Sequence, residues 1–278
     1  MATSAAGAAP PEARLCDDEC MGGPSEFDDL LIEGDTAPTE GWDFSWLDGR
    51  ATEARPSWGY LSSLTRRIDT ATSVLDIQTG GGECFAQALS ECERRPGILA
   101  ATESWPPNVV LARRSLTPLG VVVVEVSEGD RLPFGNESFD LVSSRHPTVN
   151  DWDEIHRVLR TGGTFFSQQI GAGTNRELSD FLRGPHAISE EQRLDVAVSR
   201  ARTAGLVVID AREESLPVVF FDVGAVVYFL RKVIWTVPDF SVERYRERLE
   251  HVHERITRDG CFTSHSRRLL IEATKPVR

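Results

Sequence analysis

Short apolar runs alternate with helical patterns through the middle of the chain. The helical segments carry start signals, such as Pro106 and Pro107 opening one and Asn150 as the expected cap of another. This alternation predicts a doubly wound α/β fold with a mainly parallel sheet and helices on both faces. The predicted strands are SVLDI (73–77), GILAAT (97–102), GVVVVEV (120–126), FDLVSS (139–144) and GTFFSQQI (163–170).

The last third of the chain predicts a helical insertion before a final strand. A helix pattern over 187–205 precedes two strand-like runs, and a helix over 222–235 is apolar nearly all round, so we expect it to be buried. The next helix is expected to begin after Ser241 and to end at Gly260. The segment HSRRLLIEATK then reads as the last strand.

The first 60 residues contain two contrasting segments. Residues 1–40 lack hydrophobic periodicity and are rich in Ala, Pro, Gly, Asp and Glu, which predicts a disordered acidic extension. Within it, FDDLLI is compatible with a docking motif, although an unstructured tail is the preferred interpretation. From Gly41 onwards the chain becomes dense in aromatic residues that need a surface to pack on, namely Trp42, Phe44, Trp46, Trp58 and Tyr60.

The net charge weakly disfavours a nucleic-acid partner. The chain carries a formal charge of −13, but residues 1–40 hold ten acidic side chains against one arginine and account for −9 of it. The remainder is nearly neutral, so charge alone says little about a polyanionic partner.

Cysteine usage and hydropathy indicate a cytoplasmic protein. The five cysteines form no CxxC pair, and we expect neither a metal site nor a disulfide framework. The N-terminus lacks the basic start and apolar core of a signal peptide, and the longest apolar run, 225–230, is far too short to cross a membrane.

Two turns are the best candidates for ligand binding. In a parallel sheet, ligands bind beyond the carboxyl ends of the strands, which is where Asp76 and the glycines of VLDIQTGGGE (74–83) lie. Glycine lets the backbone approach a ligand, and the next helix points free N–H groups at it. Glu103 ends the second strand, where a carboxylate can accept hydrogen bonds from two ribose hydroxyls. A dinucleotide dehydrogenase shares these features, but its G-x-G-x-x-G spacing is missing.

The arrangement resembles the class I S-adenosylmethionine-dependent methyltransferases. Their first motif is an acidic residue followed by G-x-G-x-G, and DIQTGGG (76–82) keeps the second and third glycines. EGDRLPFGNESFDLVSSRH (128–146) is similar to their strand-four signature, and EIHRVLRTGGTFFSQQ (154–169) is similar to their RVLKPGG segment, with Thr161 in place of proline. The resemblance covers residues 73–170. It implies a Rossmann-like, mainly parallel seven-stranded sheet that binds S-adenosyl-L-methionine and releases S-adenosyl-L-homocysteine.

The same resemblance implies roles for individual residues. Gly80 and Gly82 would line the methionine part of the cofactor, Asp76 would hold its amino group, and Glu103 would take the ribose hydroxyls. Trp105 would pack on the adenine, whose amino group would meet Glu128 or Asp130. The full set of candidate cofactor-binding residues is Asp76, Gln78, Gly80, Gly82, Glu103, Ser104, Trp105, Glu128, Asp130 and Arg145.

Gln78 stands where the family has its first glycine. Its side chain would either crowd the cofactor or place an amide beside the cofactor carboxylate. Because Gln78 ends a strand and its side chain is able to turn away, we expect cofactor binding to be retained.

His146 is the candidate catalytic residue. It follows the fourth strand, where the resemblance implies that it faces the transferable methyl group, and a neutral imidazole there would act as a general base. The alternative is a histidine that only orders its loop. The Asn/Asp-Pro-Pro-aromatic tetrad of amino-group methylases is absent from RHPT (145–148), which lowers the expectation of base or protein-glutamine methylation.

The expected domain organisation is an extension (1–40) and a methyltransferase domain (41–278). Within the domain we expect an aromatic lid (41–72), a cofactor-binding core (73–170), and the remaining sheet with a helical substrate cap (171–278). The lid and cap suit a small, ring-containing acceptor, and they suit an oligomer interface equally well. We expect the protein to be a monomer or a homodimer. The alternatives to a small-molecule methyltransferase are an RNA methyltransferase and a non-catalytic protein that binds the cofactor and serves as a partner of another protein.

Overall fold

The structure, a computed structural model that describes residues 25–277, is built on one eight-stranded sheet. Its strands are β1 (Ala51–Glu53), β2 (Ser73–Asp76), β3 (Ile98–Glu103), β4 (Val122–Glu125), β5 (Phe139–Arg145), β6 (Leu159–Ile170), β7 (Val207–Phe220) and β8 (Phe262–Thr274). Their spatial order is β1-β7-β8-β6-β5-β2-β3-β4. The five strands from β6 to β4 pair in parallel, whereas β8, β7 and β1 join antiparallel.

The predicted α/β sheet is confirmed, with one strand more than the seven expected. The additional strand is β1, which extends the sheet beyond β7. It has only three residues, which are too few to show a period-two pattern in the sequence.

Helices cover both faces of the sheet, as predicted. They are α1 (Glu26–Thr36), α2 (Tyr60–Thr70), α3 (Glu83–Glu91), α4 (Pro106–Leu116), α5 (Trp152–Val158), α6 (Arg176–Arg183), α7 (Leu194–Thr203), α8 (Val223–Lys232) and α9 (Val242–Asp259). Val74 and Leu75, neighbours in β2, belong to different clusters of buried side chains, the first with α2, α3 and α4 and the second with α5 and α7. Alternate residues of the strand therefore bury against opposite layers.

The helical insertion before the last strand consists of α8 and α9. In α8 every residue except Arg231 is buried, as the all-round apolar pattern predicts. The hydroxyl of Ser241 caps α9 by accepting a hydrogen bond from the Arg244 N–H, and Gly260 ends the helix in the left-handed region. The cap predicted for α5 was wrong by one residue. Asp151 and not Asn150 accepts the N–H of Glu154, because the helix begins one residue later than expected.

The prediction of a disordered extension was wrong for residues 26–36, because these residues form α1. The helix begins with a capping box between Ser25 and Asp28, and Phe27 and Leu31 are buried in the cluster that contains α8 and α9. Three carboxylates in its first turn stabilise the helix, but they interrupt the apolar pattern that would reveal it in the sequence. Residues 1–24 lie outside the described part of the chain.

The aromatic segment divides into two parts. Trp46 stacks on Tyr228 of α8 with ring centroids 4.7 Å apart, and Trp42 packs on Trp235, three residues beyond the end of that helix. Trp58 and Tyr60 instead enter the core under α2, where the Tyr60 ring stacks on Phe166 of β6 at 5.1 Å. Only this second part approaches the carboxyl ends of the central strands.

Candidate active site

A cavity of about 490 Å³ lies at the carboxyl ends of the parallel strands. It is lined by five of the predicted cofactor-binding residues. The other five, and the candidate catalytic residue His146, are not among the lining residues. The five that line it are Gln78, Glu103, Ser104, Glu128 and Asp130.

Part of the cavity wall was not expected from the sequence. The stretch 149–155, which runs into α5, closes one side, and Arg200, Thr203 and Ala204 of α7 contribute to the wall. Apart from Glu154 and Ile155, no motif marks these residues, because they reach the cavity only through the packing of α5 and α7 on the sheet.

The two glycines of the first turn have different surroundings. Gly80 has φ +65°, and a Cβ built on it would have no heavy atom within 4 Å. A ligand can therefore approach the Gly80 backbone without meeting a side chain. Gly82 has φ +84°, and its Cβ would come within 2.8 Å of the side chains of Leu116 and Ser115. Gly82 is thus required by the packing of α4 against the turn.

Asp76 is buried at the end of β2, with 5 % of its surface exposed. Burial raises the pKa of its carboxyl from 3.8 to about 6, while a hydrogen bond of 2.6 Å from the Ser143 hydroxyl and the positive charge of Arg145 act in the opposite direction. A cationic partner would stabilise the ionised form of this buried carboxyl. The amino group of the cofactor would supply one.

Glu103 holds the first two turns together. Its Oε2 accepts a hydrogen bond from the Gly80 N–H at 2.8 Å, and its Oε1 accepts those of Ser104 and Trp105 at 3.0 Å. A carboxylate has about four acceptor positions, so about one remains for a ribose hydroxyl in this arrangement. Glu103 therefore shapes the glycine turn as well as offering a ribose contact.

Gln78 is directed to the loop after β5. Its Nε2 donates to the Val149 carbonyl at 2.6 Å, and its Oε1 accepts from the Thr148 N–H at 2.7 Å. The residue has φ +54°, the left-handed conformation for which glycine is favoured. These bonds fix the amide across the edge of the cavity.

The predicted adenine contacts are exposed. Trp105, at the start of α4, has 51 % of its surface exposed, which leaves its ring free to cover a flat group. Glu128 and Asp130 are exposed in the turn after β4 and line the cavity. The Glu128 carboxylate also accepts a hydrogen bond from the Thr148 hydroxyl.

His146 ends a chain of side-chain hydrogen bonds that begins at Trp58. The Trp58 indole N–H donates to Oε1 of Gln168 at 2.8 Å, and Nε2 of Gln168 lies 3.0 Å from Nε2 of His146. An indole N–H can only donate, which assigns the amide oxygen to Trp58 and the amide NH₂ to the imidazole. His146 Nε2 is therefore the acceptor, and Nδ1 carries the proton.

The imidazole of His146 is neutral, but its Nε2 lone pair already accepts the hydrogen bond from Gln168. Burial, together with the positive charges of Arg145 and Arg268, holds the pKa of His146 well below its usual value. A general base acting through Nε2 would first have to lose the Gln168 hydrogen bond. Neither Trp58 nor Gln168 was expected here, although a pair of glutamines at 168–169 in an apolar strand was a visible signal.

The middle of the chain matches a known family. The sequence model described as a methyltransferase domain matches residues 75–167, which include the glycine turn, Glu103 and His146. Residues 75–167 therefore carry the sequence signature of a methyltransferase domain. No curated protein matches the chain.

Solved structures share the fold of this methyltransferase domain. The YcgJ protein from Bacillus subtilis is 18 % identical with a TM-score of 0.55, covering 79 % of this chain and 99 % of that one. A putative methyltransferase from Bacillus halodurans is 18 % identical with a TM-score of 0.53, covering 78 % and 99 %. A functionally unknown protein from Deinococcus radiodurans is 16 % identical with a TM-score of 0.51, covering 81 % and 90 %.

The methyltransferase site fits its cofactor. Gly80 leaves its backbone open to a ligand, and the buried Asp76 carboxyl suits an ammonium group. Across residues 25–277, no cluster of three or more His, Cys, Asp or Glu side chains is arranged to hold a metal ion. Over the same range, no helix is both long and apolar enough to cross a membrane.

Proposed function

We propose that the protein transfers the methyl group of S-adenosylmethionine to a small, ring-containing acceptor. The observation that carries the acceptor class is the position of Trp58, which lies buried beside the end of β6 and is joined through Gln168 to His146. An aromatic ring held at the edge where the turns meet suits a flat acceptor.

The cofactor supplies a methyl group that the sulfonium already activates, and in-line displacement leaves the electron pair of the broken C–S bond on sulfur. The protein's task is to bind, to orient and to exclude water. We assign the ribose to Glu103, the cofactor ammonium to Asp76, and the cofactor carboxylate to Arg145. Arg145 is assigned because its charge acts on Asp76 and Cys84, which flank the glycine turn.

His146 is proposed to position the acceptor through its Nδ1–H. Because its Nε2 accepts from Gln168, the imidazole offers a donor and not a free base. This suits an acceptor whose nucleophilic atom is already deprotonated at the working pH, so that no proton has to be removed. Base catalysis by His146, the role expected from the sequence, would require Gln168 to turn away.

The surface charge at the cavity favours a small molecule over RNA. Glu128, Asp130, Asp151 and Asp153 line the cavity with exposed carboxylates, which would repel a phosphate backbone.

The test is a methyl-transfer assay over a panel of aromatic amines, phenols and ring-containing acids, with S-adenosylhomocysteine release as the readout. Glu103→Ala should weaken cofactor binding tenfold or more, about 1.4 kcal/mol, whereas Glu250→Ala on the exposed side of α9 should not. Cofactor binding without turnover on any acceptor would favour a non-catalytic partner protein. Methylation of RNA alone would overturn the small-molecule proposal.

A further inference from the structure

A buried arginine to which the proposed function gives no role acts electrostatically on His146. Arg268 of β8 has 9 % of its surface exposed and pairs in register with Ile170 of β6, two residues beyond Gln168 on the same face. Its guanidinium donates to Oε1 of Glu53 at 2.5 Å and to the Arg267 carbonyl at 3.1 Å. Arg268 thus stands at the edge of the sheet where Trp58, Gln168 and His146 meet.

Positive charge is in excess at this point. Both Arg145 and Arg268 oppose protonation of His146, and burial together with Arg145 lowers the pKa of Arg268 against the attraction of Glu53. The nearby carboxylate of Glu214 is already bound by Ser57, which donates to it from its N–H and its hydroxyl. Glu53, which is partly exposed, is therefore the carboxylate that pairs with Arg268.

That carboxylate is suited to being displaced. The Glu53 side chain is 42 % exposed, whereas the side chain of Arg268 is 11 % exposed, so Glu53 can turn into water while the arginine remains in place. Glu53 lies in β1, a three-residue strand at the edge of the sheet. Its other bond, from the Ser266 hydroxyl at 2.8 Å, is a single neutral contact.

We propose that the methyl acceptor carries an anionic group, a carboxylate or a phosphate monoester, which Arg268 binds in place of Glu53 with the Nδ1–H of His146 as a second donor. Arginine presents a planar fork of donors that matches both anions, and the neutral imidazole adds a donor without a further charge. The proposal rests on the proposed function, since it names the class of acceptor for the same site.

The experiment compares matched anionic and neutral probes on the full-length protein saturated with S-adenosylhomocysteine. The pairs are benzoate with benzamide, salicylate with salicylamide, and phenyl phosphate with phenol, each titrated by calorimetry. We expect the anionic member of at least one pair to bind tenfold or more tightly than its neutral counterpart. Carboxylate and phosphate probes together distinguish the two sources of the anion.

Variants of the ion pair give opposite expectations. Arg268→Gln should abolish the preference for the anion, and Arg268→Lys should keep part of it. Glu53→Gln removes the competing carboxylate and should tighten anion binding several-fold, which a purely structural salt bridge would not do. All three variants should bind S-adenosylhomocysteine within about twofold of wild type, less than about 0.5 kcal/mol.

The outcomes separate the two proposals. If S-adenosylhomocysteine binds and no pair shows a preference for its anion, the anionic acceptor is wrong and the methyltransferase proposal stands. If Glu53→Gln weakens anion binding as much as Arg268→Gln, Arg268 is only a structural residue and the inference fails. Failure of S-adenosylhomocysteine to bind the wild-type protein would overturn both.

Discussion

The amide oxygen of Gln78 accepts a hydrogen bond from the Thr148 N–H at 2.7 Å and lies 2.8 Å from the Thr148 hydroxyl oxygen. These contacts tie the glycine turn after β2 to the loop after β5, seventy residues away in sequence. The Thr148 hydroxyl donates to Glu128 in the turn after β4. The residue that replaces the family's first glycine therefore joins three turns around the cavity.

The first prediction concerns Gln78. Gln78→Ala loses the side-chain hydrogen bonds and keeps a Cβ at φ +54°, whereas Gln78→Gly loses the same bonds but relieves the backbone. We expect the alanine variant to be less stable than the glycine variant by about 1 kcal/mol in urea unfolding. Cofactor affinity of Gln78→Gly should stay within a few-fold of wild type, and equal stability of the two variants would contradict the role of the backbone.

The second prediction separates Gly80 from Gly82. Gly82→Ala places a Cβ 2.8 Å from Leu116 and Ser115 and should cost about 2 kcal/mol or more of unfolding free energy. Gly80→Ala meets no neighbouring atom and should cost about 1 kcal/mol. The Cβ of Gly80→Ala would nevertheless occupy space that the cofactor needs. Relative to the stability that each variant loses, calorimetry should show a larger loss of S-adenosylmethionine affinity for Gly80→Ala than for Gly82→Ala. Unchanged affinity in Gly80→Ala would place the cofactor elsewhere.

The third prediction is a pH dependence that arises from Asp76. Its folded pKa of about 6 exceeds the value of 3.8 that applies when it is exposed, so the unfolded chain loses the proton first as pH rises. Asp76 therefore lowers stability progressively between about pH 4 and pH 6, by up to about 3 kcal/mol at neutral pH. Asp76→Asn should be more stable than wild type at pH 7.5, with little difference at pH 4, and should bind the cofactor more weakly.

The same carboxyl predicts proton release. Binding of the cofactor ammonium should lower the pKa of Asp76, so calorimetry near pH 6 in buffers of different ionisation enthalpy should detect protons released by wild type. Asp76→Asn is the control, because it has no proton to release at this position. Equal release from both proteins would assign the proton to another group.

The fourth prediction is a pH dependence of stability that arises from His146, and its sign is opposite to that of the Asp76 effect. The folded pKa of His146 lies well below the usual 6.5, so the unfolded chain takes up a proton first as pH falls. The unfolding free energy should therefore decrease between pH 7.5 and pH 5.5, with about 1 kcal/mol of the decrease due to this residue. His146→Asn, which tolerates the positive φ, should remove that part of the slope, while His251→Asn on the exposed face of α9 should not.

The fifth prediction tests whether α1 belongs to the folded domain. A Cβ at Gly34 would lie 2.4 Å from the Gly224 carbonyl oxygen, so the two helices cannot keep their separation in Gly34→Ala. We expect this variant to lose about 1–3 kcal/mol of stability, although alanine is the better helix former. Ile32→Ala, on the exposed side of the same helix, should change stability by less than about 0.5 kcal/mol. Equal, small effects would show that α1 does not pack as described.

The five parallel strands, helices α4, α5, α8 and α9, and the first two turns could be predicted from the sequence because their signals are local. Each apolar run, each cap of α9 and the turn from Asp76 to Gly80 is read within a few residues, and Glu103 is read separately at the end of the next strand. Parallel pairing then brings the carboxyl ends of β2 and β3 to the same edge, whatever the details of packing. The helix α1 was missed although its signal is also local, because its acidic residues outweighed two apolar positions.

The partners of the site residues were decided only by the tertiary structure. Gln78 finds Thr148, Trp58 and His146 meet at Gln168, and Arg268 meets Glu53. Each contact joins segments that are distant in sequence, and it depends on strand register and on the direction of a single side chain. Hydrogen bonds require both distance and angle, so a residue's type and spacing can name a candidate but cannot show whether its lone pairs are free.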